Sequence, residues 1–196
     1  MRRISKAALG GLAGCALILG GTQAAGASMT YRYNGELIDL QLETEGAFDS
    51  TRAKVTIVQD DGSTTFSIKI TGIDISAAET EFGAHLHTET CLEGNGGAAG
   101  PHYNSQVWPA GTLTAYGDAV KSPKTEVWFD LVPSEEDGAA SDQVTVPFVP
   151  VDLNGAMSIV IHVESTDEDT GLAGARQACF PLTVPEDWIY QPLPTE

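Results

Sequence analysis

The stretch AKVTIVQDDGSTTFSIKITGI, from Ala53 to Ile73, limits the fold more than any other part of the chain. AKVTIV and TTFSIKITGI alternate apolar and polar residues with a period of two, and QDDGS between them is rich in turn formers. Together they predict a β-hairpin. Beyond Ser28 no apolar run of helical period is long enough to form a helix, whereas strand-like runs recur. They are YRYNGELIDLQLE, GAHLHTE, EVWFDLV (Glu126 to Val132), QVTVPFV (Gln143 to Val149), MSIVIHV (Met157 to Val163) and QACFPLTV (Gln177 to Val184). These runs predict an all-β domain of about eight antiparallel strands, a Greek-key barrel or sandwich. The 21 glycines and 10 prolines suit its turns, and a hydrophobic content of 42% in 196 residues suits one domain with a core.

Residues 1–27 have the pattern of a signal peptide. MRRISK is a basic start, AALGGLAGCALILGG is a short apolar segment, and AAGA ends in small residues at Ala27. An alternative is the lipobox-like LAGC, which would make Cys15 a lipid anchor. Either way the chain is expected to be exported, secreted or held in the cell envelope. The domain is expected over residues 28–184, with PEDWIYQPLPTE (185–196) as a tail. Losing Arg2, Arg3 and Lys6 takes the basic count from 10 to 7 against 27 acidic residues, and the formal charge from −17 to about −20. A surface so acidic argues against nucleic acid as a partner. Export would also leave two cysteines, Cys91 and Cys179, which predicts one disulfide.

Three irregular segments interrupt the strands: Thr88 to Thr125, the polar turn Ser134 to Asp142, and the acidic, then glycine-rich stretch Glu164 to Arg176. Long loops on an all-β scaffold are where function concentrates. Three of the four histidines lie around the first of them. His85 and His87 are two apart on a strand, so both face one way while Leu86 packs on the other side. His102 follows a proline in GPHYN, and His162 lies in the strand SIVIHVE. A Cys91–Cys179 disulfide would tie the loop of the first three to the segment just beyond the fourth, and so gather four imidazoles. Four imidazoles without a thiolate suit Cu(II) in a tetragonal arrangement. Zinc also accepts such ligands, but a closed four-ligand zinc site is usually structural.

In this order, GAHLH, CLEGNGGAAGPHYN, IVIHVE and GLAGARQACFPL resemble the copper/zinc superoxide dismutases, over most of the chain from about Ala53 to Val184. AGPH and GxAGxRxAC are the most specific parts of the match. The resemblance implies a Greek-key barrel with copper at one edge, held by His85, His87 and His162, with His102 in the place of the bridging histidine. It implies a Cys91–Cys179 disulfide, and an anion-orienting role for Arg176 beside the copper. With superoxide as substrate, Arg176 and His102 become the catalytic candidates, the first as a fixed positive charge and the second as a proton carrier.

The chain departs from the family where zinc would bind. No histidine lies between His102 and His162, so two zinc ligands are missing and zinc is not expected; the pattern resembles the copper-only branch. An acidic side chain would then have to orient His102. Glu126 is the first candidate, Asp118 the second and Asp130 the third. The acidic loop with Glu164, Asp167, Glu168 and Asp169 repels an anionic substrate at long range, which leaves Arg176 to attract it locally. Two other readings stand beside the enzyme. One is a copper storage or delivery protein on the same fold, in which Arg176 only bridges loop carbonyls. The other is a metal-free β-module, which leaves the ordered histidines unexplained.

Overall fold

The computed structural model describes residues 28–108, 116–150 and 157–183. The signal segment with Cys15 and the tail lie outside the described residues.

Among the described residues, nine strands form two antiparallel sheets. They are β1 (Met29–Glu36), β2 (Ile38–Asp39), β3 (Arg52–Asp60), β4 (Ser63–Thr71), β5 (Phe82–His87), β6 (Trp128–Leu131), β7 (Ala140–Val146), β8 (Ser158–His162) and β9 (Arg176–Pro181). One sheet has the order β1-β3-β4-β7 and the other β2-β9-β8-β5-β6. The expected all-β Greek-key architecture is therefore the observed one. The hairpin foreseen around QDDGS is β3–β4, closed by the pair Asp60–Ser63. Its tip is Asp61-Gly62, with φ of 40° and 82°, the positive values that a two-residue turn matched to sheet twist requires. Inward side chains alternate as the period predicts: Ala53, Val55, Ile57, Phe66, Ile68 and Ile70 are buried in the main core.

Two readings need correction. YRYNGELIDLQLE supplies two strands rather than one, because the chain crosses at Leu37 from β1 in the first sheet to β2 in the second. This raises the count from about eight to nine. The strand expected over Gln143–Val149 instead starts at Ala140, so the turn is shorter than Ser134–Asp142. As an edge strand, β7 pairs on one side only, Ala140 with Ile70 through Val146 with Thr64. Ser141, Gln143 and Thr145 point to solvent, so the polar residues that read as turn are the outer face of a strand. Asp142 in β7 accepts a hydrogen bond from the Asp130 amide of β6 at 2.9 Å, which links neighbouring edges of the two sheets.

The strand β5 lies inside its sheet, between β8 and β6, and all six of its residues are buried. Leu86 points into the main core with Ile159 and Ile161. The opposite face of this sheet is also covered. There Val160 and Cys179 pack with Leu40, Ala99 and Cys91 beneath the loop after β5. The Cys91–Cys179 disulfide ties that loop to β9. His85 and His87 lie on this second, covered face.

Candidate metal centre

Sheet register does most of the work of assembling the site. β5 pairs with β8 so that His85 faces Val160 and His87 faces Ser158. A single bridge between His87 and His102 brings the loop histidine in. Between Ile161 and His162 the β8–β9 register slips by one residue, setting His162 opposite Arg176 instead of Gln177. Bulges of this kind commonly re-aim side chains beside functional sites.

The result is a compact, buried group. One ring nitrogen from each of His85, His87, His102 and His162 lies within 4.8 Å of the others. The His85 and His102 ring centroids are 4.1 Å apart, and His85 and His162 4.8 Å. Each imidazole is held from outside by one nitrogen. His87 Nδ1 bonds to the Gly100 carbonyl at 3.0 Å, His162 Nδ1 to the Gly174 carbonyl at 3.1 Å, and His85 Nε2 to the Thr166 hydroxyl at 2.9 Å. His102 Nδ1 meets Glu126 Oε2 at 3.0 Å. The remaining nitrogens of three rings, His85 Nδ1, His87 Nε2 and His162 Nε2, are buried without a hydrogen-bond partner. Buried polar atoms are rarely left so, because the loss of hydration is uncompensated. Lone pairs that converge from neutral imidazoles fit a metal cation.

Electrostatics keep these rings neutral. Burial, then repulsion from His102, His162, His87 and Arg176, drives His85 far below the ordinary histidine range. His87 is lowered in the same way by burial, His102 and Arg176, against a raising bond from Gly100. His162 falls to about 4, chiefly through burial, with the Gly174 bond opposing and His102 and Arg176 adding to the fall. Proton-free nitrogens are what a metal requires.

Glu126 is fully buried. Besides His102, its carboxylate accepts from Asn104 Nδ2 at 3.0 Å and from the Trp128 indole at 2.8 Å. Burial raises its carboxyl, but these bonds outweigh that and leave it below the usual value. Asp118 is exposed at the end of a short turn, Tyr116–Asp118. Asp130 is exposed on β6, its carboxyl raised by burial and by Glu81, Asp142 and Glu168. Of the three acidic candidates, Glu126 is the one bonded to His102. The Arg176 guanidinium is partly buried and donates from Nη1 to the Gly96 carbonyl at 2.6 Å. Its charge is nonetheless felt at His85, His87 and His162.

Sequence reasoning missed Thr166, Asn104, Trp128 and the carbonyls of Gly100 and Gly174. Asn104, two residues past His102, and Trp128, two past Glu126, are near their partners along the chain. Thr166 is 81 residues from His85, with no local signal.

No protein-family model matches the chain, and no curated protein does. Among solved structures it is similar to the crystal structure of a double mutant of a SOD-like protein from Bacillus subtilis. The likeness has a TM-score of 0.51 and 18% identity, and covers 77% of this chain and 97% of that one. At this identity it shows a shared fold.

Proposed function

We propose that the chain is an exported, copper-dependent superoxide dismutase that works without a zinc ion. The observation that carries this reading is the set of four buried imidazoles with three partnerless nitrogens turned inward, beside the positive charge of Arg176. The fold shared with a SOD-like protein supports it. Copper held by His85, His87, His102 and His162 would supply one-electron chemistry, by which one superoxide is oxidised to oxygen and a second, with two protons, is reduced to hydrogen peroxide. The chain's own residues would do the rest. Arg176, anchored by Gly96 on one side, would attract and orient the anion. His102 Nε2 would hold either the metal or a proton, while the Glu126 carboxylate at Nδ1 fixes the ring and offers a counter-charge in the protonated state. Because Glu126 already engages His102 Nδ1, a second metal at that nitrogen would have to displace a buried carboxylate with three donors. The disulfide suits an oxidising compartment. Among the described residues no helix is long and apolar enough to cross a membrane.

A second reading is a copper storage or delivery protein. Burial favours it: the three inward nitrogens are sealed from solvent, and Arg176 spends a donor on a loop carbonyl. Bound copper and zinc should be measured on the purified, copper-loaded protein, and superoxide removal assayed on the same sample. One copper, no zinc and removal well above free copper is expected for the enzyme. One copper with no removal above that control leaves the storage reading; no bound copper refutes both.

A further inference from the structure

The four imidazoles are not held alike. His87 and His162 are tethered by backbone carbonyls and His102 by a carboxylate, groups that only accept hydrogen bonds. Each acceptor obliges the tethered nitrogen to carry the hydrogen, so the other nitrogen points inward with its lone pair. His85 is different. Its tether is the Thr166 hydroxyl, which can donate or accept. His85 also presents Nδ1 to the centre, whereas the partnerless nitrogens of His87 and His162 are Nε2.

From this contrast we infer that Thr166 is a positioning residue: its hydroxyl holds the His85 ring with Nδ1 toward the other three imidazoles, and so makes the loop after β8 a working part of the metal site. The inference rests on the metal-site reading above.

The placement of Thr166 is built rather than incidental. The Gly83 amide donates to the Glu164 carbonyl at 2.8 Å, Val163 to Ala175 at 2.9 Å, Glu164 to Ala173 at 3.1 Å and Asp167 to Leu172 at 2.8 Å. The segment therefore continues the β8–β9 pairing and lies down on the start of β5. Gly83, two residues before His85, makes the approach feasible. A Cβ there would collide with the Thr166 hydroxyl and would lie 2.9 Å from the Thr166 amide nitrogen and from Ala173 Cβ. Gly83 has no need of positive φ, so close contact is the reason for a glycine here. With His85 Nδ1 offering its lone pair inward, the ring hydrogen sits on Nε2 and the Thr166 oxygen accepts it. Among the described residues the Thr166 hydroxyl is the hydrogen-bond partner of His85 Nε2, so without it packing alone is left to orient the ring and no acceptor selects the site of its hydrogen.

The test compares Thr166→Val, which keeps the shape and removes the hydroxyl, with Thr166→Ser, which keeps the hydroxyl. Gly83→Ala serves as an independent way to push Thr166 off the ring. Nitrogen–hydrogen NMR of the metal-free protein reads which His85 nitrogen carries the hydrogen. The electron paramagnetic resonance spectrum and a chelator competition then read the Cu(II)-loaded protein. Wild type and Thr166→Ser should show hydrogen on His85 Nε2 and share one copper spectrum. Thr166→Val and Gly83→Ala should lose the Nε2–H preference, change the spectrum and bind copper about 10- to 100-fold more weakly, the usual scale for outer partners of a ligand. A Thr166→Val protein with the wild-type tautomer, spectrum and affinity overturns the proposal. So does equal loss in Thr166→Ser, which would make packing rather than the hydroxyl responsible. If wild type itself binds no copper, the metal reading fails, and the metal-free NMR comparison alone still decides whether the hydroxyl sets His85.

Discussion

Arg176 and Glu126 show how far single side chains decide this site. Arg176 donates from Nη1 to the Gly96 carbonyl, and its charge acts on the imidazoles; in the proposed reaction that charge would also attract the anion. Arg176→Ala should lower superoxide removal by roughly tenfold or more with copper retained, since a fixed attractive charge is lost and no ligand is touched. Steady-state assays paired with metal analysis check this; unchanged removal would take Arg176 out of the mechanism. Glu126 Oε2 takes hydrogen bonds from both His102 and Trp128, and Oε1 takes one from Asn104. A glutamine at 126 has the same size but only one acceptor oxygen, so at least one buried donor must go unmet. Glu126→Gln should weaken copper binding by about 10- to 100-fold, read by chelator competition.

At the scale of elements, the loop after β5 is the part that must be tied down. It delivers His102 and the Gly100 carbonyl. Its ties are the Cys91–Cys179 disulfide, the Ser158 hydroxyl donating to the Glu89 carbonyl at 2.7 Å, and the amides of Thr88 and Glu89 bonded to Pro101 and Ala99. The disulfide spans 88 residues, a long closure that restricts the unfolded chain strongly. Cys91→Ser with Cys179→Ser should cost about 2–4 kcal/mol in chemical denaturation. Copper affinity should fall as well, because His102 loses its anchorage while His85, His87 and His162 stay on paired strands.

At the scale of the whole molecule, stability of the metal-free protein should depend on pH through the buried histidines. The folded-state value of His162 is about 4 against an ordinary 6.5. A depressed value means that the unfolded chain takes up the proton first. The contribution to stability is then full above pH ~6.5 and is lost as pH falls toward about 4; for His162 alone it is on the order of 3 kcal/mol. His85 and His87 shift the same way and steepen the loss. Denaturation midpoints at pH 7, 5.5 and 4 on metal-free protein would show this as a steady fall; a flat profile would mean that the rings are hydrated rather than sealed. Copper should raise the neutral-pH midpoint by mass action.

Strand-like runs and turn residues are local properties, and they were enough to determine the all-β class, the β3–β4 hairpin around QDDGS, and the shared face of His85 and His87. The ordered histidines and cysteines could likewise be picked out as one group, and Glu126 as one of three carboxylates. The rest depended on register. Which residue faces Val160, where β8 slips against β9 to set His162 opposite Arg176, and how a hydroxyl 81 residues along the chain comes to rest on His85 are results of pairing and packing between distant strands. The edge strand β7 was misread for the complementary reason: half of its residues face water, so local polarity resembles a turn until the partner strand is in place. The sequence by itself determined the all-β class, the alternation of its faces and the four histidines that come together. The tertiary structure decided which nitrogens converge and what holds them, because those distances belong to the register between strands and not to the spacing along any one of them.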